Sequence, residues 1–142
     1  MSTQEKTVIT VETVIAAPVE KVWEVWTKPE HIVHWSNASD DWHTPSAEND
    51  LRVGGSFLTK MAAKDGSFAF DFTGVYDAVE ELKYIEYTIA DGRVVKISFS
   101  KEGEDTKVVE EFEAEGTHSV EMQQGGWQAI LNNFKKYAEE NK

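Results

Sequence analysis

The most constraining feature of the sequence is a change in the spacing of its apolar residues near Gly116. Before this point, from about residue 56, apolar and polar side chains alternate in a series of short segments, which is typical of half-buried β-strands. After it, apolar residues recur at intervals of three and four, which is typical of one amphipathic helix. The pattern predicts about six consecutive strands followed by a long C-terminal helix.

The beginning of the chain predicts one more strand and two short helices. Residues 7–16 alternate in two sets of mostly β-branched side chains, which indicates a strand. Pro18 suits the first turn of a helix, and Thr27 with Glu30 has the spacing of a capping box that would open a second helix. In the stretch that follows, Pro45 favours an irregular or edge strand, and the course of residues 36–50 stays open.

These elements predict the architecture. Strands joined by tight turns are antiparallel neighbours, and each has one apolar face that must be covered. A twisted sheet of about seven strands curls around a straight helix, and the two short helices plug one end. We therefore predict one α+β domain over residues 1–142, in which a strongly curved antiparallel sheet wraps around the C-terminal helix. A concave sheet and a straight helix fit poorly, so an apolar pocket is expected between them.

The candidate pocket residues are the large apolar side chains that the two patterns turn inward. Tyr87 and Trp127 are favoured over plain core residues because each has a polar group that needs a partner. Trp42 would line the pocket mouth, while Gly125 and Gly126 allow a close approach or a local break of the helix. The full set of predicted ligand-binding residues is Trp35, Trp42, Phe57, Phe70, Phe72, Tyr87, Phe99, Phe112, Trp127 and Leu131.

One carboxyl group falls on an apolar strand face. Glu110 shares the face of Val108 and Phe112, so alternation turns it toward the interior. An unpaired carboxyl group there would be desolvated, its pKa would rise, and it would suit a general acid or base, or an anchor for a polar ligand group. A position at the sheet rim, or a pair with Lys or Arg, is the competing interpretation. Glu110 is the one catalytic candidate, since the chain has no cysteine and no nucleophile-elbow or phosphate-loop motif.

A metal site is considered and not adopted. His31 and His34 lie three residues apart, and Asp40, Asp41 and His43 follow closely. A metal site needs about four convergent ligands, and no ligand motif is present. Surface histidines beside a loop explain the pattern equally well, so we expect neither metal nor cofactor.

Charge and composition exclude several classes of partner. A net charge of -12 repels phosphate backbones and anionic membrane surfaces, so nucleic acid and membrane binding are not expected. No apolar run approaches the roughly 20 residues of a membrane span, and the N-terminus lacks a secretory signal. The absence of cysteine fits a reducing compartment, so the expected location is cytoplasmic.

Four segments of the chain carry a family resemblance. They are ITVETVIAAPVEKVWEVWTKPEHIVHW, LRVGGSF, FDFTGVYDAVEELKYIEYTIADGRVVKISF and THSVEMQQGGWQAILNNFKKYAEE. Together they resemble the START-like, or helix-grip, superfamily, and within it the branch similar to the C-terminal domain of the activator of heat-shock protein 90 ATPase. The resemblance covers almost the whole chain. It implies a pocket between sheet and C-terminal helix for hydrophobic or aromatic small molecules, and it carries over no catalytic residues.

Three functions are compatible with these features. The first is binding of a small lipid-like or polyketide-like ligand in the cavity. The second is a co-chaperone-like module that stimulates a heat-shock protein 90 ATPase, although the known activator has two domains and only the C-terminal one has a counterpart here. The third is a cyclase or hydrolase that uses Glu110. A homodimer through an edge strand is also left open.

Overall fold

A computed structural model describes residues 7–36, 41–90, 92–116 and 119–140 of the chain. The predicted order of one strand, two short helices, six strands and one long helix is confirmed. In chain order the elements are β1 (Val8–Ile15), α1 (Val19–Thr27), α2 (Pro29–Trp35), β2 (Trp42–Asn49), β3 (Ser56–Ala63), β4 (Ala69–Glu80), β5 (Tyr84–Ile89), β6 (Val94–Glu102), β7 (Asp105–Glu113) and α3 (Val120–Glu140).

The strands form one seven-stranded antiparallel sheet in the order β1-β7-β6-β5-β4-β3-β2. Strands that follow one another from β2 to β7 are neighbours, and β1 pairs with the last strand, from Val8 opposite Glu113 to Ile15 opposite Thr106. The sheet curls into a half-barrel with α3 on its inner side, so the predicted α+β helix-grip fold is confirmed. None of the helices in the described part of the chain is long and apolar enough to cross a membrane.

The concave face of the sheet carries the core, and its residues are those that the alternation predicts. Every second side chain of β5, β6 and β7 is buried because it faces α3 or the two short helices. These buried residues are Ile85, Tyr87, Ile89, Val95, Ile97, Phe99, Thr106, Val108, Glu110 and Phe112.

Two local expectations from the sequence have different outcomes. The register of β2 against β3 shifts between His43 and Ser46, around Pro45, and β2 is an edge strand as predicted. The capping box is wrong: α2 begins after Lys28 without a side-chain cap, because the Thr27 hydroxyl donates instead to the Trp23 carbonyl oxygen at 2.8 Å.

Side chains of α3 occupy the free edge of β1. Three backbone carbonyl oxygens on this edge accept hydrogen bonds from α3, and one backbone N–H donates to a carboxylate of α3. The bonded pairs are Gln124 with Thr10 (3.3 Å), Gln128 with Glu12 (3.3 Å), Lys135 with Val14 (2.7 Å) and Glu139 with Ala16 (2.8 Å). These bonds satisfy polar backbone groups that an edge strand otherwise offers to another chain.

The spacing of these four bonds fixes the path of the helix. Between Gln124 and Glu139 the helix rises about 22 Å, and between Thr10 and Ala16 the strand rises about 20 Å. Because the two lengths match, α3 runs alongside β1 in the same direction. The helix is therefore held near one edge of the concave face, and the homodimer that the sequence leaves open stays a prediction.

The packing of α3 differs between its two halves. Leu131, Phe134 and Ala138 are fully buried in the C-terminal half, whereas Trp127 in the N-terminal half is only partly buried. The helix is continuous through Gly125 and Gly126, and a methyl group on either glycine would meet nothing within 4 Å. The expected close approach or break at these glycines is therefore wrong, since the backbone there has open space beside it.

Two glycines should respond in opposite ways to alanine. Gly126→Ala should stabilise the protein by about 0.5–1 kcal/mol, because alanine favours the helix and the added methyl group meets open space. Gly74→Ala should destabilise it by about 1–3 kcal/mol, because the new Cβ would lie 2.6 Å from Cε2 of the buried Phe57 ring. Urea unfolding of both variants measures the two changes. A destabilising Gly126→Ala would contradict the open space described beside α3.

Candidate functional site

A cavity of about 310 Å³ lies between the concave face of the sheet and the three helices. Its volume falls within the range of small-molecule sites and is about twice that of a cavity of roughly 150 Å³ known to accept benzene. The residues that line it are Trp26, Ile32, Trp35, Ser36, Asn49, Phe57, Thr59, Met61, Phe70, Phe72, Tyr76, Tyr87, Arg93, Glu110, Trp127, Ile130 and Leu131. Most of this lining is aromatic or aliphatic, so the cavity suits an apolar ligand.

The stack of Trp127 on Phe112 keeps the cavity open. The two rings lie 3.8 Å apart at an interplanar angle of 11°, so the indole lies flat on the β7 side chain. Trp127 also meets Phe72 edge to face at 6.3 Å. Because these two stacked aromatic rings separate α3 from the sheet at this point, the N-terminal half of the helix cannot approach the concave surface more closely.

The opposite end of the cavity is closed by an aromatic cluster. Trp26, Trp35 and Phe134 contact one another with ring centroids 4.8–5.0 Å apart. The Trp35 indole N–H donates to the Val25 carbonyl oxygen at 2.9 Å, which fixes the ring and satisfies its polar group. The two short helices thus form a plug, as the sequence predicts.

The cavity reaches solvent beside Phe70. This residue lines the cavity and is 42% exposed, and its neighbour Phe68 is 59% exposed. Trp42 contacts both rings at centroid distances of 5.9 and 6.0 Å. Trp42 and Phe68 do not line the cavity but contact Phe70, which does, and these three residues are called the aromatic rim below.

One hydrogen-bond chain in the cavity wall is complete. The Tyr76 hydroxyl donates to Oδ1 of Asn49 at 2.5 Å, and Nδ2 of Asn49 donates to the Thr27 carbonyl oxygen at 2.6 Å. Burial raises the pKa of Tyr76, so its phenol stays protonated at neutral pH. The chain ties β4 to β2 and to the end of α1.

Glu110 faces the cavity and is 6% exposed. Its neighbours across the sheet are Val11 and Ile97, both fully buried, and no described residue forms a hydrogen bond or ion pair with its carboxyl group. Burial raises the pKa of Glu110 to about 8, so the group is mostly protonated at neutral pH. β7 is an inner strand, so neither a rim position nor a pair with Lys or Arg describes this residue.

Tyr87 and Arg93 complete the polar part of the lining. Tyr87 is 7% exposed, and its pKa is raised by burial first and by the nearby Glu110 carboxyl group second. Arg93 acts in the opposite direction on the Tyr87 pKa, and one of its guanidinium N–H groups donates to the Glu113 carbonyl oxygen at 3.2 Å. The cavity therefore combines an apolar body with a small polar region.

The structure places most, but not all, of the predicted ligand-binding residues in the lining. Phe99 packs instead under Trp23 and Trp26, Phe112 lies beneath Trp127, and Trp42 stands at the rim. Strand alternation assigns a face but not a position along it, so it cannot separate these residues from the rest. The predicted residues that line the cavity are Trp35, Phe57, Phe70, Phe72, Tyr87, Trp127 and Leu131. Ligand binding by them stays a prediction.

Several lining residues are absent from the set predicted from the sequence. Tyr76 follows Phe70 and Phe72 at even spacing on β4, so extending the alternation along that strand would have found it. Asn49 and Arg93 carry no such signal, because Asn49 is the last residue of β2 and Arg93 precedes β6, and each enters the cavity through the tertiary fold.

Both histidines of α2 pack against Tyr137 of α3. Nδ1 of His31 lies 2.8 Å from the Tyr137 hydroxyl, and the His34 ring stacks on Tyr137 at 5.5 Å. Within the described ranges no three His, Asp or Glu side chains form a group that would hold a metal ion. Asp40, one of the residues considered for such a site, lies outside the described residues.

The chain is similar in sequence and in structure to known proteins. A family model described as Activator of Hsp90 ATPase homolog 1-like protein matches residues 16–139. The solution structure of an AHSA1-like protein from Aeromonas hydrophila is 45% identical, with a TM-score of 0.90 over 95% of this chain and 94% of that one. A protein from Cytophaga hutchinsonii is 56% identical, with a TM-score of 0.81 over 94% of this chain and 92% of that one. No curated protein matches the chain.

Glu110 should make the protein less stable as the pH rises through neutrality. The pKa of its carboxyl group is raised in the folded state, so unfolding releases a proton between about pH 4.5 and pH 8. The free energy of unfolding should fall by up to about 1.4 kcal/mol per pH unit in this window because of Glu110 alone, and level off above it. Glu110→Gln removes this contribution, so the variant should gain stability over the wild type as the pH rises.

The matched control is Glu111→Gln, on the opposite, exposed side of the same strand. Urea unfolding of the three proteins at several pH values between about 5 and 9 measures the differences. Equal pH profiles for Glu110→Gln and Glu111→Gln would contradict the buried, unpaired state of Glu110.

Proposed function

The chain belongs to the family of Activator of Hsp90 ATPase homolog 1-like proteins, and from this premise we propose that it is a cytoplasmic protein that binds a small hydrophobic ligand. The ligand is lipid-like or aromatic and polyketide-like, and it occupies the cavity beneath α3. The observation that carries the proposal is the cavity itself: about 310 Å³ of mostly apolar space, open to solvent beside Phe70.

The size of the cavity supports a ligand of about two fused rings, or an acyl chain of similar volume. Since roughly 150 Å³ accepts one benzene ring, twice that volume accepts about two. The release of water contributes about 25 cal/mol to the free energy of binding for each Å² of apolar surface buried. A cavity that encloses the ligand on most sides buries most of the ligand surface.

The arrangement of the aromatic side chains supports a flat ligand. Phe57 meets Tyr87 edge to face at 4.8 Å, and Phe72 meets Trp127 edge to face at 6.3 Å. Walls built from such crossed rings present both faces and edges to a guest, which are the contacts that aromatic rings prefer. The exposed aromatic rim gives an apolar molecule a surface to contact before it enters.

A second candidate function is a co-chaperone-like interaction that stimulates a heat-shock protein 90 ATPase. Its support is the description of the family, and the cavity takes no part in it. Steady-state ATP hydrolysis by a purified chaperone of this class, with and without the protein, tests it directly. A cavity-blocking variant would leave such stimulation unchanged, which separates this candidate from ligand binding.

Filling part of the cavity should weaken ligand binding. Met61 lines the cavity from β3, so Met61→Trp should fill part of the space and weaken binding of 2-ethylnaphthalene at least tenfold. Leu58→Trp, on the outer face of the same strand, is the matched control and should bind as the wild type does. Isothermal titration calorimetry gives the affinities, and a thermal shift supports them, since free ligand at one hundred times its Kd adds about 2.7 kcal/mol of stability.

The second probe is a medium-chain fatty alcohol, which is lipid-like. If neither it nor 2-ethylnaphthalene binds to the wild-type protein, the proposal is wrong. Equal binding by the Met61→Trp and Leu58→Trp variants would place the ligand outside the cavity and contradict it as well.

A further inference from the structure

Two polar groups in the cavity wall have no partner within the protein. Neither the Glu110 carboxyl group nor the Tyr87 hydroxyl forms a hydrogen bond with any residue that the structure describes, although both side chains are more than nine-tenths buried. No buried polar side-chain atom among the described residues is enclosed without a partner, so both groups open into the cavity space. Buried polar groups are normally satisfied, so two open groups in one apolar cavity point to a ligand.

The sheet brings these two groups to the same region. Tyr87 on β5 lies opposite Val95 on β6, which lies opposite Phe112 on β7. Glu110 precedes Phe112 by two residues and so shares its concave face. Only β6 separates the two side chains, and the Glu110 carboxyl group is close enough to raise the Tyr87 pKa.

Both groups are hydrogen-bond donors at neutral pH. Burial keeps the Tyr87 phenol protonated, and it holds the pKa of Glu110 at about 8, so that the neutral acid dominates at pH 7. A tyrosine and a neutral carboxylic acid in an apolar site form a strong pair of donors to one ligand oxygen. Since neither O–H donates to a residue that the structure describes, an acceptor oxygen on the ligand would satisfy both.

We propose that the cavity selects ligands with a carbonyl oxygen, which accepts hydrogen bonds from the Tyr87 hydroxyl and the Glu110 carboxyl group while the apolar part of the ligand fills the remaining space. This inference rests on the proposed ligand-binding function and names the chemical class of the ligand. Tyr87 and Glu110 act as specificity-determining residues, and the apolar lining contributes the affinity that is independent of the oxygen.

The charged surroundings favour an oxygen over a cationic group. Around Glu110 the titratable groups of the lining are Tyr76 on β4, Tyr87 on β5 and Arg93 before β6. The guanidinium of Arg93 opposes a ligand cation and attracts the partial negative charge of a carbonyl oxygen. The helices add no titratable side chain, since their lining residues, with the cap of α2, are Trp26, Ile32, Trp35, Ser36, Trp127, Ile130 and Leu131.

The test compares three probes with one ring system. They are 2-acetylnaphthalene, which has the ketone; 2-ethylnaphthalene, which lacks the oxygen; and 2-(aminomethyl)naphthalene, which is a cation. Calorimetric titration of the full chain gives their affinities for the wild type and for the Tyr87→Phe, Glu110→Leu and Glu110→Gln variants. The infrared carbonyl stretch of bound ¹³C-labelled ketone reports its hydrogen bonds directly.

The ketone should respond selectively to loss of either donor. Tyr87→Phe and Glu110→Leu should each weaken ketone binding about tenfold and leave the hydrocarbon within about twofold. Glu110→Gln, whose amide still donates, should bind the ketone within about threefold of the wild type. The bound carbonyl stretch should lie at lower frequency in the wild type than in Tyr87→Phe.

The pH dependence separates the donor role of Glu110 from a packing role. As the pH rises above about 8, Glu110 ionises, loses its donor and repels the ketone oxygen. Ketone affinity of the wild type should therefore fall by up to about tenfold per pH unit above that value. The affinity of Glu110→Gln should stay constant over the same range.

Two results would overturn the inference alone: equal losses of ketone and hydrocarbon in the variants, or tighter binding of the cationic probe with an affinity that rises toward pH 8. In either case the hydrocarbon still binds and the proposed function stands. If no probe binds to the wild type, both the proposed function and this inference are wrong.

Discussion

The position of α3 along the β1 edge is the constraint on which the rest of the structure depends. Hydrogen bonds from Gln124 to Thr10 and from Lys135 to Val14 hold the helix beside the first strand. The fully buried C-terminal half anchors it against the aromatic plug, while the Trp127 ring on Phe112 keeps the other half away from the sheet. A helix fixed in this way cannot move to the centre of the concave face, and the cavity is the space that remains.

The chemistry of the cavity follows from the same geometry. A sheet that faced a tightly packed helix would bury Glu110 among side chains, where an unpaired acid is strongly destabilising. Here the carboxyl group faces open space beside Tyr87, and burial keeps it neutral at physiological pH. The protein thus loses some stability and gains a polar group that is ready to bind, which is common where a site is built into an otherwise apolar core.

The sequence predicts the architecture well because its elements are set by local periodicity. Alternation identifies the faces of β5, β6 and β7, and it turns Glu110 inward as the structure has it. The predicted capping box at Thr27 does not form because the Thr27 hydroxyl donates to the Trp23 carbonyl oxygen, one turn back in α1. The spacing of residues does not reveal this competing acceptor.

The site is predicted less completely because it depends on distances between elements that are far apart in the chain. Phe99 and Phe112 face inward as predicted, but the positions of α1 and α3 over the sheet decide that one lies under Trp23 and the other under Trp127. The most direct test of a ligand site beneath α3 is the set of intermolecular nuclear Overhauser effects between bound 2-ethylnaphthalene and isotope-labelled protein. We predict contacts with ring protons of Trp127 and Phe72; contacts confined to the outer face of the sheet, or to the exposed rim alone, would contradict a ligand site beneath α3.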